Sequence, residues 1–418
     1  MRRILDVEGD KEHRLILLNS KVVLEVATNV LSGIPQEIGD FIRENSGAPQ
    51  PFTLKLGYEH LTVEEVLHKL LPGDVGEGRP SSYEQAGHIA HLNLRDEMLP
   101  YKHMIGQVIL DKNPMLRTVV NKLGNIENEF RTFPMEVIAG QDDFDVTVRE
   151  SGAKLAFNFR NVYWNSRLQT EHARLIEILK ATAASRQQGS SLIVADIMAG
   201  VGPFAVPLAM HYEANIVLHA NDLNPESYTA LVKNSKVNRI QHGRLMAYNM
   251  DAREFIVGLV GKNIRFQEAI MNLPANATDF LDVFIGLETR YNRDRDPPLG
   301  TQDEFSLPRI HVYGFSTAAD PVADLAARAA SVMQCDVALL GLAAGGKSDD
   351  VSTSCRGHVV RDVSPKKLMI CLSFVLPRAV ACAVPIQFPF EVIAGISGSK
   401  RGGPELAAIP EIDKKFKA

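Results

Sequence analysis

Leu192-Ile193-Val194-Ala195-Asp196-Ile197-Met198-Ala199-Gly200-Val201-Gly202-Pro203-Phe204 opens the stretch that decides the reading, and Ile216-Val217-Leu218-His219-Ala220-Asn221-Asp222 closes it. The run from Leu192 to Ala195, ending in Asp196, is short and apolar, which predicts a buried parallel strand. Gly200 and Gly202 carry no Cβ, so the loop between them can turn sharply and approach a ligand closely. Pro203 suits the first position of the helix leaving that loop, where its missing N–H would be unpaired anyway. The second run, Ile216 to Ala220, delivers Asp222 about 20 residues on, where nucleotide folds grip ribose hydroxyls. Strand, glycine loop, helix, strand and acid together predict a nucleotide-type cofactor site.

Two cofactor classes fit the pattern, NAD and S-adenosylmethionine (SAM), and the glycine fingerprint alone does not choose, since Ala205 stands where a third glycine would. Asp196 tilts the choice. A carboxylate just before the glycines would repel a pyrophosphate but attract the sulfonium and amino groups of SAM.

Working outward from Asp222, helices and strands alternate. Pro225 to Val237 is amphipathic, Arg244 to Tyr248 extended, Ala252 to Val260 helical, and Gln267 to Met271 a fourth strand running into Asn272-Leu273-Pro274-Ala275-Asn276-Ala277. Asp222, Asp251 and Asn272 each fall where a strand ends, and in an open parallel sheet those ends form the ligand crevice. Asp251 also suits a helix cap, which is compatible with binding. A fifth strand is expected over Arg309 to Phe315, a helix over Ala318 to Met333, and a hairpin from His358 to Val363 and Leu368 to Leu376 around Ser364-Pro365-Lys366-Lys367. Between helix and hairpin, Gly341 to Ser354 reads as a Gly-, Ser- and Asp-rich disordered loop.

Upstream of the loop, Thr170 is a candidate N-cap for a helix whose apolar face holds Leu175, Ile178 and Leu179. Glu171 and His172 then fall in its first turn. A first-turn Glu is either a favourable partner for the helix dipole or a general base beside the cofactor. Phe144 to Val148 and Lys154 to Phe159 alternate around Ser151-Gly152 as a hairpin. Tyr163 and the only tryptophan, Trp164, follow it. Arg131 lies between Phe130 and Phe133, either held towards a cleft or lying over an aromatic ring. Leu99 to Leu110 suits a helix with a short strand over Val108 to Leu110. Lys112 to Lys122 is basic, either phosphate-facing or a solvated helix face. His88 and His91 lack a third ligand nearby, so a strand with part-exposed histidines is the expectation there rather than a metal.

The whole chain has 418 residues, 45% hydrophobic and 23% charged, with net charge −5. That length suits two or three domains. The acidic balance argues against nonspecific nucleic-acid binding, so such a partner needs a local basic patch. No apolar stretch reaches the ~18 residues that a membrane span requires. Met1 to Arg14 mix acids with bases, so no secretory signal is expected. Cys335, Cys355, Cys371 and Cys382 lack CxxC spacing and read as reduced core thiols of an intracellular protein. A breaker, Leu71-Pro72-Gly73, marks a boundary.

Several segments together resemble the Rossmann-type tRNA (guanine(37)-N1)-methyltransferases of archaea and eukaryotes. They are Phe130-Arg131, Val162-Tyr163-Trp164, Ser166-Arg167-Leu168, Thr170-Glu171-His172, Met198 to Phe204, Asp222-Leu223-Asn224-Pro225, Asn272-Leu273-Pro274 and His358-Val359-Val360-Arg361-Asp362-Val363-Ser364-Pro365-Lys366. They run in the family's order over roughly residues 83 to 376. The N-terminal region looks short or divergent, the loop at 341–354 looks inserted, and the tail is unfamiliar.

The resemblance implies an α/β fold: a class I SAM-dependent methyltransferase Rossmann-like sheet with a preceding α+β subdomain and a small N-terminal domain. The expected divisions are 1–72 for tRNA recognition, 73–165 for the subdomain, 166–376 for the SAM-binding core, and 377–418 as an unassigned tail. It implies methyl transfer to N1 of the guanosine beside the anticodon, with Glu171 as general base. Arg131 and Asn272 would contact the guanine, and Tyr163 would support the site. His172, Asp222, Leu223, Asp251, Ala252, Asn272 and Pro274 would line the SAM pocket, together with Asp196, Gly200 and Gly202 from the loop reading. No metal, membrane or protein partner is implied, and a monomer is expected. Localisation is expected in the cytoplasm, with nucleus and mitochondrial matrix open by resemblance. Guanine N1 needs a base to remove its proton, an effect typically worth ~10²–10⁴-fold, and a partly apolar pocket is the environment expected to favour that base. Two other readings stay open: a wybutosine-pathway tRNA aminocarboxypropyltransferase, and a catalytically silent tRNA-binding module. Pro203 and Asn272-Leu273-Pro274 look like the methyltransferase.

Overall fold

The computed structural model describes residues 4–7, 10–16, 23–25, 30–32, 35–44, 57–72, 83–124, 130–187, 189–292, 307–341 and 355–390. Residues 73–82, the loop expected at 341–354 apart from Gly341, and the end of the tail lie outside them. The chain divides into two units, Met1–Ser81 and Ser82–Ala418. In the first, β1 (Ile4–Val7) pairs antiparallel with β2 (Asp10–Ile16), and β3 (Val23–Glu25) with β4 (Val30–Ser32). Helices α1 (Gln36–Glu44) and α2 (Val63–Leu70) follow. Thr62 starts α2: its Oγ1 accepts from the Glu65 N–H at 3.2 Å while Glu65 Oε2 accepts from the Thr62 N–H at 2.8 Å. Two orphan donors of the helix start are thereby satisfied reciprocally.

The second unit begins with a four-stranded sheet of β5 (Glu84–Ala86), β6 (Ile89–Leu92), β7 (Thr118–Lys122) and β8 (Met135–Gly140), in that order, with α3 (Lys102–Lys112) between β6 and β7. The strand expected over Val108 to Leu110 is instead the end of α3, where Val108 and Ile109 are buried. The short apolar run is compatible with either state, and helix packing decides it. Lys112 to Lys122 is not a helix face, because Lys112 ends α3 and Lys122 ends a buried strand. The expected hairpin forms as β9 (Asp145–Glu150) and β10 (Ala153–Asn158), turning at Ser151 (φ 47°) and Gly152 (φ 80°).

Helix α4 (Gln169–Ala184) begins earlier than the sequence implies. A 3-10 turn over Ser166–Leu168 leads into it, and the Asn165 side chain accepts the Arg167 N–H at 3.1 Å. Thr170 is therefore inside the helix and is not its cap.

The central sheet has seven strands: β13 (Leu245–Tyr248), β12 (Ile216–Asn221), β11 (Leu192–Asp196), β14 (Glu268–Met271), β15 (Arg309–Ser316), β17 (Lys367–Val375) and β16 (Arg356–Ser364), in that spatial order. The first five are mutually parallel; β17 runs antiparallel to β15, and β16 antiparallel to β17. From β11 the chain steps outward to β12 and β13, then returns to β14 on the other side. This reversal opens a crevice at the carboxyl ends of β11 and β14. Helices α5 (Ala205–Met210), α6 (Pro225–Val237), α7 (Ala252–Gly261), α8 (Leu287–Tyr291), α9 (Pro321–Val332) and α10 (Arg378–Ala381) complete the unit. One core cluster gathers Leu175, Phe204 and Tyr313, and another Phe255, Phe284 and Phe374.

Three expectations are revised here. Pro203 precedes α5 by two residues, and the Val206 N–H donates to Gly202 O at 2.9 Å, so the first turn winds from the glycine. The thiols are free but not uniformly core: Cys355 and Cys371 are buried, Cys382 exposed. The start of the unassigned tail is structural, with Val380, Ala381 and Phe388 in the core. The Gly286 N–H donates to Val380 O at 2.9 Å, and a Cβ at Gly286 would come within 2.5 Å of Pro385. No described helix is long and apolar enough to cross a membrane.

Candidate active site

The glycine loop is laced to neighbouring strand ends by backbone and side-chain bonds. The Ala199 N–H donates to Asn221 O at 2.7 Å, and the Gly200 N–H to Asp222 Oδ2 at 2.7 Å. Asp222 Oδ1 accepts the Asn224 N–H at 2.9 Å. Buried Asn221 donates through Nδ2 to Ile197 O and Met250 O, at 3.1 and 3.0 Å, and accepts the Met250 N–H at 3.1 Å. Gly200 and Gly202 have φ of +55° and +97°. Gly200 is demanded by that conformation alone, whereas a Cβ at Gly202 would also meet Val206 and Leu231 at 2.6 and 2.7 Å.

Asp196 ends β11 fully buried, and neither carboxylate oxygen has a hydrogen-bond partner among the described residues. Burial, reinforced by the nearby Asp222 charge, pushes its carboxyl well above the usual range. Burial also raises Asp222, against the bonds from Asn224, Gly200 and Ser227. Two carboxylates sharing one crevice favour a cationic ligand, which would relieve both the repulsion and the unmet acceptors. That donor set fits the sulfonium and amino groups of SAM and opposes a pyrophosphate. Asp251 caps α7, accepting the Arg253 N–H at 2.8 Å, and Ala252 beside it is buried. Leu223 is exposed, its carbonyl accepting from Asn249 Nδ2 at 2.9 Å.

Glu171 is buried, 4% exposed. Its Oε1 accepts from Tyr313 Oη at 2.8 Å and Arg174 Nη2 at 2.6 Å, and its Oε2 from Arg174 Nε at 2.7 Å. His358 Nε2 lies 3.3 Å from Oε2. The expected partly apolar pocket is thus a polar one, built by donors from α4, β15 and β16. Burial acts to lower the Arg174 guanidinium, but its bonds and charge pairing with Glu171 outweigh that and raise it. Tyr313 follows Val312, which pairs with Met271 in the ladder, so the residue that holds Glu171 lies on the strand beside the end of β14, where Asn272 begins its loop. The ring of Phe204, from the glycine loop, packs 4.7 Å from the His172 ring and 6.3 Å from that of Tyr313. His172 itself is buried and its Nδ1 meets Glu150 Oε1 on β9.

Arg131 has a left-handed backbone (φ 59°), and its Nη2 donates to Asn276 Oδ1 at 2.6 Å. It reaches the loop after β14 rather than lying over an aromatic ring. The cation over Phe133 is Lys122, at 3.4 Å. Burial lowers the Arg131 guanidinium, against the influence of Tyr163. In the same loop Asn272 Oδ1 is buried without a partner among the described residues, and Pro274 O accepts the Phe315 N–H at 3.2 Å. Among the described residues no group of three or more potential metal ligands occurs.

Comparisons with known proteins show the family. A TYW2 N-terminal domain model covers residues 63–143 and a TRM5/TYW2 methyltransferase domain model residues 146–290. A tRNA (guanine(37)-N(1))-methyltransferase of Phytophthora infestans is 44% identical over 376 residues, spanning 90% of this chain and 81% of that protein. The chain belongs to the tRNA (guanine(37)-N(1))-methyltransferase family. The human member is 37% identical, over 91% of this chain and 69% of its own length. Among solved structures, Trm5b of Pyrococcus abyssi is 25% identical with TM-score 0.53, covering 73% of this chain and 78% of that one. The complex of aTrm5 and tRNALeu, at 19% identity and TM-score 0.57, covers 90% and 92% and shares the fold.

Within this methyltransferase, several residues that partner the candidate side chains are not singled out from the sequence. Tyr313, Arg174 and Glu150 carry no local signal. His358 and Asn276 lie inside motif segments without a role of their own, and Asn221 stands one position before Asp222.

Proposed function

We propose that this protein transfers a methyl group from SAM to N1 of the guanosine on the 3′ side of the anticodon, with Glu171 as general base. The observation that carries the reading is a buried carboxylate held by Tyr313, on the strand paired with the one that ends at Met271, with the Tyr313 ring 6.3 Å from that of Phe204 in the glycine loop. Asp196 would face the cationic end of SAM and Asp222 its ribose hydroxyls, with Gly200, Gly202, Leu223, Asp251, Ala252 and Pro274 around the cofactor. SAM, when bound, supplies an electrophilic methyl group.

The protein's own groups prepare the acceptor. Glu171 takes the N1 proton of guanine, leaving negative charge that spreads to O6. Arg131, held by Asn276, places a guanidinium to stabilise that charge, an effect strengthened where water is excluded. Asn272 offers an unfilled acceptor to the amino edge of the base. Tyr163, 39% exposed, presents a ring on which an unstacked base can rest. Turning the guanine out of its stack costs a few kcal/mol, which these contacts offset.

Transfer from labelled SAM to tRNA carrying G or A beside the anticodon tests the reading. Label in the G form alone, with the mass of a methyl group on the nucleoside, is expected. Label in neither overturns the activity, and an aminocarboxypropyl mass overturns the reaction.

A further inference from the structure

A carboxylate offers about four acceptor positions, and three of those on Glu171 are filled by bonds of 2.6–2.8 Å from Tyr313 and Arg174. Both partners are anchored: Tyr313 is fully buried, and Arg174 grips with a two-pronged fork. The fourth position, on Oε2, is faced by His358 at 3.3 Å. This contact is the longest of the four, and its partner is the most exposed, the His358 side chain being 46% accessible. His358 lies on the edge strand β16, opposite Cys371 of β17.

We propose that His358 caps the reacting lone pair of Glu171, and that the target guanine must displace it before N1 can be deprotonated. The inference rests on Glu171 being the base. Neutral imidazole is a weak competitor and swings aside towards solvent. Imidazolium pairs with Glu171 and holds the base closed, so the cap couples methyl transfer to pH. The groups facing His358 are Glu171 and Arg174 from α4 and Cys371 from β17, with Tyr313 of β15 behind Glu171. Burial and the Arg174 charge lower the His358 imidazole, against Glu171. The closed form therefore prevails only below the ordinary imidazole range, near about pH 6.5, and the site is open at neutral pH.

The test compares His358→Ala and His358→Lys with wild type, in the full chain, by kcat/KM for tRNA across pH. Lysine keeps a permanent cation at the cap. It is expected to fall about tenfold below alanine at about pH 8, as a cation that binds the base ten times more often than not would require. The alanine variant is expected to extend activity to lower pH than wild type. Superimposable profiles for all three proteins overturn the cap, as does a lysine variant equal to alanine. A loss in both variants at every pH, with unchanged profile shape, assigns His358 a structural role and also overturns it. Glu171→Gln run alongside separates the two ideas, since activity surviving there defeats the base itself.

Discussion

The Gly200 N–H donates to Asp222 Oδ2 at 2.7 Å, so the acid proposed to bind the cofactor also fixes the glycine loop. The same carboxylate accepts from Asn224 at the start of α6. Asp222→Ala should therefore weaken SAM binding twice, by losing a ligand and by releasing the loop. Asp222→Asn, which keeps one acceptor oxygen, should bind more tightly than alanine. Calorimetric titration with SAM checks both, and unchanged affinity in the alanine variant would remove Asp222 from the pocket.

Asp196 makes a prediction about stability. Its carboxyl is raised in the folded protein, so the native state holds the proton longer than the unfolded chain does. Stability from this group is present at low pH and is lost as pH rises from the ordinary carboxylate range towards the raised value. Asp196→Asn removes that loss. Every tenfold difference in proton affinity between the folded and unfolded states is worth about 1.4 kcal/mol. The ligand-free variant should therefore melt a few degrees higher at neutral pH, on the order of 2–4 °C per kcal/mol. SAM affinity should fall at the same time. A melting temperature that is not raised would contradict the account.

Glu171→Gln preserves shape and most contacts while removing the basic oxygen. Methyl transfer should fall ~10²–10⁴-fold, with SAM affinity retained. Tyr313→Phe removes only the 2.8 Å donor that orients the carboxylate. It should lower kcat by roughly ten- to 150-fold, towards the low end of the glutamine effect, since a bond to a charged group is worth about 1.5–3 kcal/mol and about 1.4 kcal/mol is a factor of ten. Near-normal turnover with glutamine at 171 would exclude the base role.

The parts of the site legible in the sequence are those encoded locally. Asp196, Gly200, Gly202 and Asp222 belong to one strand-loop-helix-strand unit whose chemistry follows from residue type and spacing. The seven-stranded order depends on pairings that no local pattern states, and Tyr313 meets Glu171 across 142 residues of chain. Arg131 illustrates the same limit. Its two sequence readings differ only in the neighbour it would find, and that neighbour, Asn276, lies 145 positions away. The misplaced strand at Val108 to Leu110 shows that a short apolar run leaves its own conformation to tertiary packing. The packing of Phe388 shows likewise that a segment without a motif can still belong to a core.

β17 slots between β15 and β16, although it is the last strand among the described residues. During synthesis on the ribosome, the nucleotide-gripping half of the crevice, β11 to β14, emerges well before the hairpin that seats Tyr313 and brings His358 to Glu171. The cofactor half can thus take shape while the acceptor half is still being made, and competence for chemistry arrives only with the final strands.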